Sequence, residues 1–176
     1  MKKGLIVVNT GNGKGKTTAA LGLAFRALGH GFKVCMVQFI KGSWKYGELE
    51  AAKKFDNFIL LPMGKGFVNL GAKEPDQRDI QLALETLEKG KKAVMSEEYK
   101  IVIFDEINYA LTYNLIKIED VMKLLREKPE NVHIVLTGRG AEKFPELVEA
   151  ADLITEMKEI KHPYQKGITA QRGIEF

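Results

Sequence analysis

The sequence predicts an α/β protein built on a mainly parallel sheet with helices on both faces, and three observations predict it. Short apolar, β-branched segments recur along the chain and are mostly separated by helical patterns. A glycine-rich stretch stands between the first such segment and the first helix, and a later segment ends in two adjacent acids, Asp105 and Glu106. Right-handed crossovers between parallel strands would gather the loops that follow the strands along one edge, where α/β proteins bind ligands. With 176 residues, 45% of them hydrophobic, the chain reads as one domain over 1–176 with a sizeable core.

The elements follow in order. Leu5 to Val8 is the first strand, and Thr17 to Leu28 the first helix, with Ala20, Leu23, Ala24, Ala27 and Leu28 on its inward face. Val34 to Phe39 is the second strand and contains Cys35, the single cysteine. A lone apolar-flanked cysteine argues against a disulfide framework and for a reducing, cytoplasmic setting, with Cys35 in the core. Phe58 to Leu61 is the third strand. Pro75 precedes the longest helix, from about Asp76 to Ser96, with Ile80, Ala83, Leu84, Leu87 and Val94 facing inward. Ile101 to Phe104, Val132 to Thr137 and Leu153 to Met157 complete the strands, and His133, at a strand start, reads as structural. Ile40 to Gly47 and Met63 to Pro75 break the rhythm. Both are glycine-rich, carry Trp44, Tyr46 and Phe67, and follow strands, which places them on the ligand edge. The tail from Lys161 to Phe176 has no clear period.

Composition excludes several classes. The net charge of +4, from 27 basic and 23 acidic residues, suits a polyanionic ligand but is too scattered for a nucleic-acid partner. No apolar run approaches the roughly 18 residues of a membrane span, and Lys2-Lys3 ahead of a run that stops at Asn9 lacks a cleavage site. A soluble, unprocessed protein is expected. The three histidines show no metal-site spacing.

The chemistry concentrates in Thr10-Gly11-Asn12-Gly13-Lys14-Gly15-Lys16-Thr17-Thr18. Strand, glycine loop and helix in that order form a phosphate-binding loop, in which glycines let backbone N–H groups converge on phosphate and the helix adds its positive end. Lys16 supplies a charge for the outer phosphates, and the Thr17 hydroxyl is a Mg²⁺ ligand. The usual spacing puts glycine where this chain has Thr10, so the grip is intact while the loop's beginning is altered. Asp105 or Glu106 would hold Mg²⁺ directly or through water, and Glu106 could also serve as a general base. No protein nucleophile stands out.

Four blocks then carry a specific likeness: Thr10 to Ala20; Val37-Gln38-Phe39-Ile40-Lys41-Gly42 with Gly47-Glu48; Asp105-Glu106; and Thr137-Gly138-Arg139-Gly140 with the tail from Lys161-His162 through Gly167 and Ala170-Gln171 to Gly173-Ile174. Over nearly its whole length the chain resembles the P-loop-type ATP:corrinoid adenosyltransferases, which act on cob(I)alamin or cob(I)yrinic acid a,c-diamide. The resemblance implies a RecA-like P-loop NTPase fold and transfer of the 5′-deoxyadenosyl group of ATP to Co(I), with triphosphate released intact. The metal is then the nucleophile, and the protein orients C5′ and stabilises the leaving group. Thr10 is a family trait, tied to a nucleotide lying reversed relative to ordinary ATPases. By the same likeness Asn12, Gly13, Lys14, Gly15, Lys16, Thr17 and Thr18 contact the triphosphate, and Glu106 helps coordinate Mg²⁺. Gln38, Lys41, Glu48 and Arg139 contact nucleotide or corrinoid. Lys16, Thr17 and Glu106 carry catalysis.

Two departures from the family stand out. Its corrinoid-facing loop usually reads Gly-Phe-x-Trp, where this chain has Gly66-Phe67-Val68-Asn69, leaving Phe67 as the one ring available to displace the lower axial ligand. Many members also carry an N-terminal extension over the site, whereas Met1 here stands almost at the first strand. Relatives imply a homodimer and a flavoprotein reductant. A P-loop ATPase or small-molecule kinase using Glu106 as base is the alternative, and a non-catalytic nucleotide-responsive module is a third.

Overall fold

The computed structural model describes residues 3–42, 46–66 and 75–176. Six strands, β1 (Ile6–Thr10), β2 (Val34–Gln38), β3 (Phe58–Pro62), β4 (Ile101–Asp105), β5 (His133–Thr137) and β6 (Leu153–Glu156), form one sheet in the order β3-β2-β4-β5-β1-β6. Every neighbouring pair is parallel.

Successive side chains along a strand point to opposite faces, and here both faces are apolar. Val7, Val34, Met36, Ile103 and Val135 meet Ala20, Ala24 and Ala27 of α1 (Lys16–Gly29) on one face. Val8, Cys35, Val37, Val102, Phe104, Ile134 and Leu136 face the other way. They pack with residues of α3 (Gln77–Met95), α4 (Ile107–Thr112), α5 (Ile118–Glu127) and α6 (Pro145–Ala150). A short helix, α2 (Gly47–Ala52), lies beside β3. The Asp76 carboxylate caps α3 by accepting from the Arg78 N–H. Cys35 is buried in this core, and burial pushes its thiol up to about 11. His133 Nδ1 accepts the Leu5 N–H, a structural role.

Three expectations are corrected. Leu84 is exposed: the inward stripe of α3 runs through Ala83, Leu87, Gly90, Ala93 and Val94, and Leu84 lies one residue, about 100° of rotation, off it. All four residues of β6 are exposed, including Leu153 and Ile154, because β6 is the sheet edge beyond β1 and is not covered on both faces. The apolar run also understates where β1 ends: Asn9 and Thr10 continue the strand because their partners, Thr137 and Glu156, continue the ladders. Asp105, paired with Gln38, ends β4 as expected, and Glu106 lies past the strand at the start of α4.

That register builds the floor of the site. Gln38 lies beside Asp105, Thr137 follows the Leu136 that pairs with Phe104, and Asn9 lies beside Thr137. Four polar residues therefore form a row across the C-terminal ends of four adjacent strands, and all four are buried.

Candidate active site

Beyond β1 the chain turns through Gly11 (φ 96°) and reaches the helix through Gly15 (φ 118°), left-handed conformations that glycine adopts without steric cost. Gly11 and Gly13 serve a second purpose. A Cβ on either would lie 2.5 or 2.7 Å from the Met157 carbonyl oxygen, and the Gly13 N–H donates to that oxygen at 2.6 Å. The loop is thus seated on the chain leaving β6. Thr10 explains its departure from glycine: its hydroxyl accepts the Ala141 N–H at 3.2 Å and donates to Glu142 Oε2 at 3.4 Å, tying the loop's start to the turn after β5.

Among the described residues no side chain caps α1, which leaves its first N–H groups available to an anion. Lys16 is buried and its ammonium donates to the Gly11 and Gly13 carbonyls at 2.8 and 2.7 Å. Burial lowers its pKa, Glu106 and Asp105 oppose that, and Arg139 adds to it.

Asp105 is fully buried and saturated with donors. Its Oδ1 accepts from the hydroxyls of Thr17 (2.8 Å) and Thr137 (2.7 Å), and its Oδ2 accepts from Gln38 Nε2 at 3.0 Å with Lys41 Nζ 3.7 Å away. Lys41 also pairs with Glu48 at 2.9 Å and sits 4.8 Å from the centre of the Tyr46 ring. Burial works against its charge, but Asp105 and Glu48 outweigh burial and raise its pKa. Glu106 is held in a left-handed conformation, φ 63°, and its N–H donates to Thr137 Oγ1 at 2.9 Å. Burial and the charge of Asp105 raise the Glu106 carboxyl to about 6, against the pull of Lys16, Lys41 and Arg139.

A pocket of about 480 Å³ brings together Lys14, Gly15, Lys16, Thr17, Thr18, Lys41, Glu48 and Glu106. Leu21, Gly47 and the residues Gly173 to Phe176 complete its lining. Asp105 and Gln38 lie beneath it, the former linked through Thr17. Asn12 and Arg139 face a second pocket of about 370 Å³, shared with Tyr109, Thr112, Tyr113 and Lys143. The rings of Tyr109 and Tyr113 stand 4.2 Å apart there. Phe67 and Asn69, and Trp44, lie outside the described residues. Sequence reasoning missed Thr137 as the link between the two acids, and missed the end of the tail as pocket wall. A threonine ending a strand next to the acidic strand was the available signal for the first.

The donor set fits Mg²⁺. The Thr17 hydroxyl and the Glu106 carboxylate are hard oxygen donors lining one pocket, and no cluster of three or more His, Cys, Asp or Glu that could hold a metal by itself occurs among the described residues. Mg²⁺ in nucleotide sites is held by one or two protein oxygens together with phosphates.

A parallel sheet with a glycine loop opening a helix, and an acidic strand one strand removed from that loop, defines a RecA-like P-loop nucleotide-binding protein. Solved structures agree on the fold. The flagellar accessory protein FlaH of Methanocaldococcus jannaschii superposes with a TM-score of 0.56 at 14% identity, covering 89% of this chain and 72% of its own. The KaiC-like protein PH0186 of Pyrococcus horikoshii gives 0.54 at 16%, covering 90% and 75%. The chain belongs to the ATP:corrinoid adenosyltransferase BtuR/CobO/CobP family, whose model matches residues 2–176. It is 45% identical to a corrinoid adenosyltransferase of Sinorhizobium over 99% of this chain and 81% of that one. Corrinoid adenosyltransferases of Pseudomonas aeruginosa (39%, covering 99% and 85%) and Escherichia coli K12 (36%, covering 99% and 87%) are also similar.

Proposed function

We propose that this protein transfers the 5′-deoxyadenosyl group of ATP to the Co(I) centre of a corrinoid and releases triphosphate. The observation that carries the reading is the full-length family match on a chain whose phosphate loop, Thr17 and Glu106 share one pocket.

In this reading Co(I) donates an electron pair to C5′ of the ribose, a Co–C bond forms, and the C5′–O bond breaks with its electrons on the triphosphate. The chain's work is to hold and neutralise that leaving group. Lys16 turns its ammonium from the loop carbonyls to the outer phosphates, the free N–H groups of α1 donate to phosphate oxygens, and Lys41 adds a second cation. Mg²⁺, when bound by Thr17 and Glu106, neutralises further phosphate charge. Asp105 acts from behind, fixing the Thr17 hydroxyl, since both its oxygens already accept hydrogen bonds. Asn12 and Arg139 reach the substrates from the neighbouring pocket. A homodimer, a flavoprotein electron donor and a cytoplasmic setting belong to the same proposal. Among the described residues no helix is long and apolar enough to cross a membrane.

The ATPase or kinase alternative needs Glu106 to activate water or a hydroxyl, and the family match does not favour it. Mixing protein, Mg-ATP and a chemically reduced corrinoid separates the two. An alkylcobalt absorption spectrum appearing with triphosphate supports transfer, and ADP accumulating whether or not corrinoid is present overturns it.

A further inference from the structure

The geometry points to the turn Gln171–Phe176 as part of the nucleotide-binding site, an apolar cover that lies against the triphosphate and keeps water from it. This rests on ATP being the ligand of the pocket at the phosphate loop.

The tail leaves β6, backs the phosphate loop at Met157, passes through a 3-10 turn at Pro163–Lys166, and returns to the pocket. There Gly173, Ile174, Glu175 and Phe176 share the lining with Lys14–Thr18, Leu21 and Lys41. The turn makes its own shape. The Ile174 and Glu175 N–H groups donate to the Gln171 carbonyl at 3.1 and 2.9 Å, and the Gly173 N–H donates to the Phe176 carbonyl at 2.7 Å. The Gln171 N–H donates to Glu175 Oε2 at 2.7 Å. Gly173 takes φ 82°, and a Cβ there would meet nothing within 4 Å, so glycine is required by the backbone alone.

Two consequences follow. First, no hydrogen bond or ion pair among the described residues joins this turn to the phosphate loop or to α1. The turn is folded but not anchored by polar contacts, so a ligand lying between it and the loop would supply the missing contact surface. Second, its chemistry suits a cover rather than a grip. Ile174 is 61% exposed and Phe176 36%, apolar side chains beside a pocket whose other members include three lysines. An exposed apolar side chain at a phosphate site gains by burial when the ligand arrives, and in doing so excludes water. The Glu175 carboxylate is held by the turn's own N–H, which keeps it from competing with phosphate for Lys14 and Lys16. Water exclusion has a specific value here. Hydrolysis would bond a water oxygen to the γ-phosphorus and break the β–γ bridge, giving ADP and phosphate instead of a triphosphate leaving group.

The test uses the full chain. Hydrogen exchange is followed at residues 171–176 with and without Mg-ATP, and Mg-ATP affinity and ADP production without corrinoid are measured for wild type, Ile174→Ala/Phe176→Ala and Gly173→Ala. The proposal expects Mg-ATP to slow exchange in the turn. It also expects both variants to weaken Mg-ATP binding by about tenfold and to raise corrinoid-independent ADP formation, with the thermal midpoint of the nucleotide-free protein unchanged in Ile174→Ala/Phe176→Ala, which leaves the backbone of the turn alone. Unchanged exchange at 171–176, or variants that bind and retain ATP like wild type, would overturn it while leaving adenosyl transfer intact. A wild-type protein that does not bind Mg-ATP would overturn the nucleotide reading itself, and the cover with it.

Discussion

Replacing Thr137 with valine tests the reasoning about the site floor most sharply, because the change keeps shape and removes only a hydroxyl. That hydroxyl donates to Asp105 Oδ1 at 2.7 Å and accepts the Glu106 N–H at 2.9 Å, and Thr137 is fully buried. A hydrogen bond to a charged group contributes about 1.5–3 kcal/mol, and a buried donor left without a partner costs about 1–3 kcal/mol. Thr17 and Gln38 still serve Asp105, so the two losses partly overlap and together come to about 3–4 kcal/mol. For a chain of this length that corresponds to a fall of about 6–16 °C in the thermal midpoint. Thr137→Ser is the control: it keeps both hydrogen bonds, loses one buried methyl, and costs about 1 kcal/mol. Urea unfolding of the three proteins without nucleotide gives the comparison. A valine variant as stable as the serine variant would refute the claim that this hydroxyl couples the two acids.

Four further outcomes are expected. Gly90→Ala loses about 1–3 kcal/mol despite alanine's better helix propensity, because the new Cβ would lie 2.2 Å from Cε1 of the fully buried Phe104. Gly22→Ala, which meets nothing within 4 Å, gains about 0.5–1 kcal/mol, and denaturant midpoints of the pair settle both. Lys16→Met weakens Mg-ATP binding about ten- to a hundredfold by titration calorimetry, as loss of a charge-assisted phosphate contact requires. Mg²⁺-dependent nucleotide binding falls as pH drops through about 6, where Glu106 takes up a proton, and the profile flattens in Glu106→Gln. The linked stability has the opposite sign. Because the folded-state pKa lies above the ordinary value, this group's contribution favours the folded state at low pH and is lost as pH rises through about 6.

The fold was legible because it rests on signals local in sequence. Each strand is a short apolar run, and the phosphate loop lies between one such run and an alanine-faced helix. What escaped depends on neighbours distant in the chain. The buried row of Asn9, Thr137, Asp105 and Gln38 exists only through strand register, and none of the four is apolar enough to announce its burial. Gln38, expected as a ligand contact, also donates to Asp105, a partner that only the β2–β4 register reveals. Gly11 and Gly13 were legible as phosphate-loop glycines but not as seats for Met157, and Leu84 was misplaced because a wide apolar stripe does not show its own edge. The tail carried a recognisable pattern without periodicity, and only its return to the pocket gives that pattern a use.

The central claim is that triphosphate leaves whole because the corrinoid's metal, and not water, attacks ATP. A single turnover with enzyme in excess over Mg-ATP and reduced corrinoid, quenched through the reaction, measures it directly. The account predicts one triphosphate released for each Co–C bond formed, with no ADP on the same time course. ADP and phosphate produced at the rate of ATP loss, with the cobalt spectrum unchanged, would contradict it.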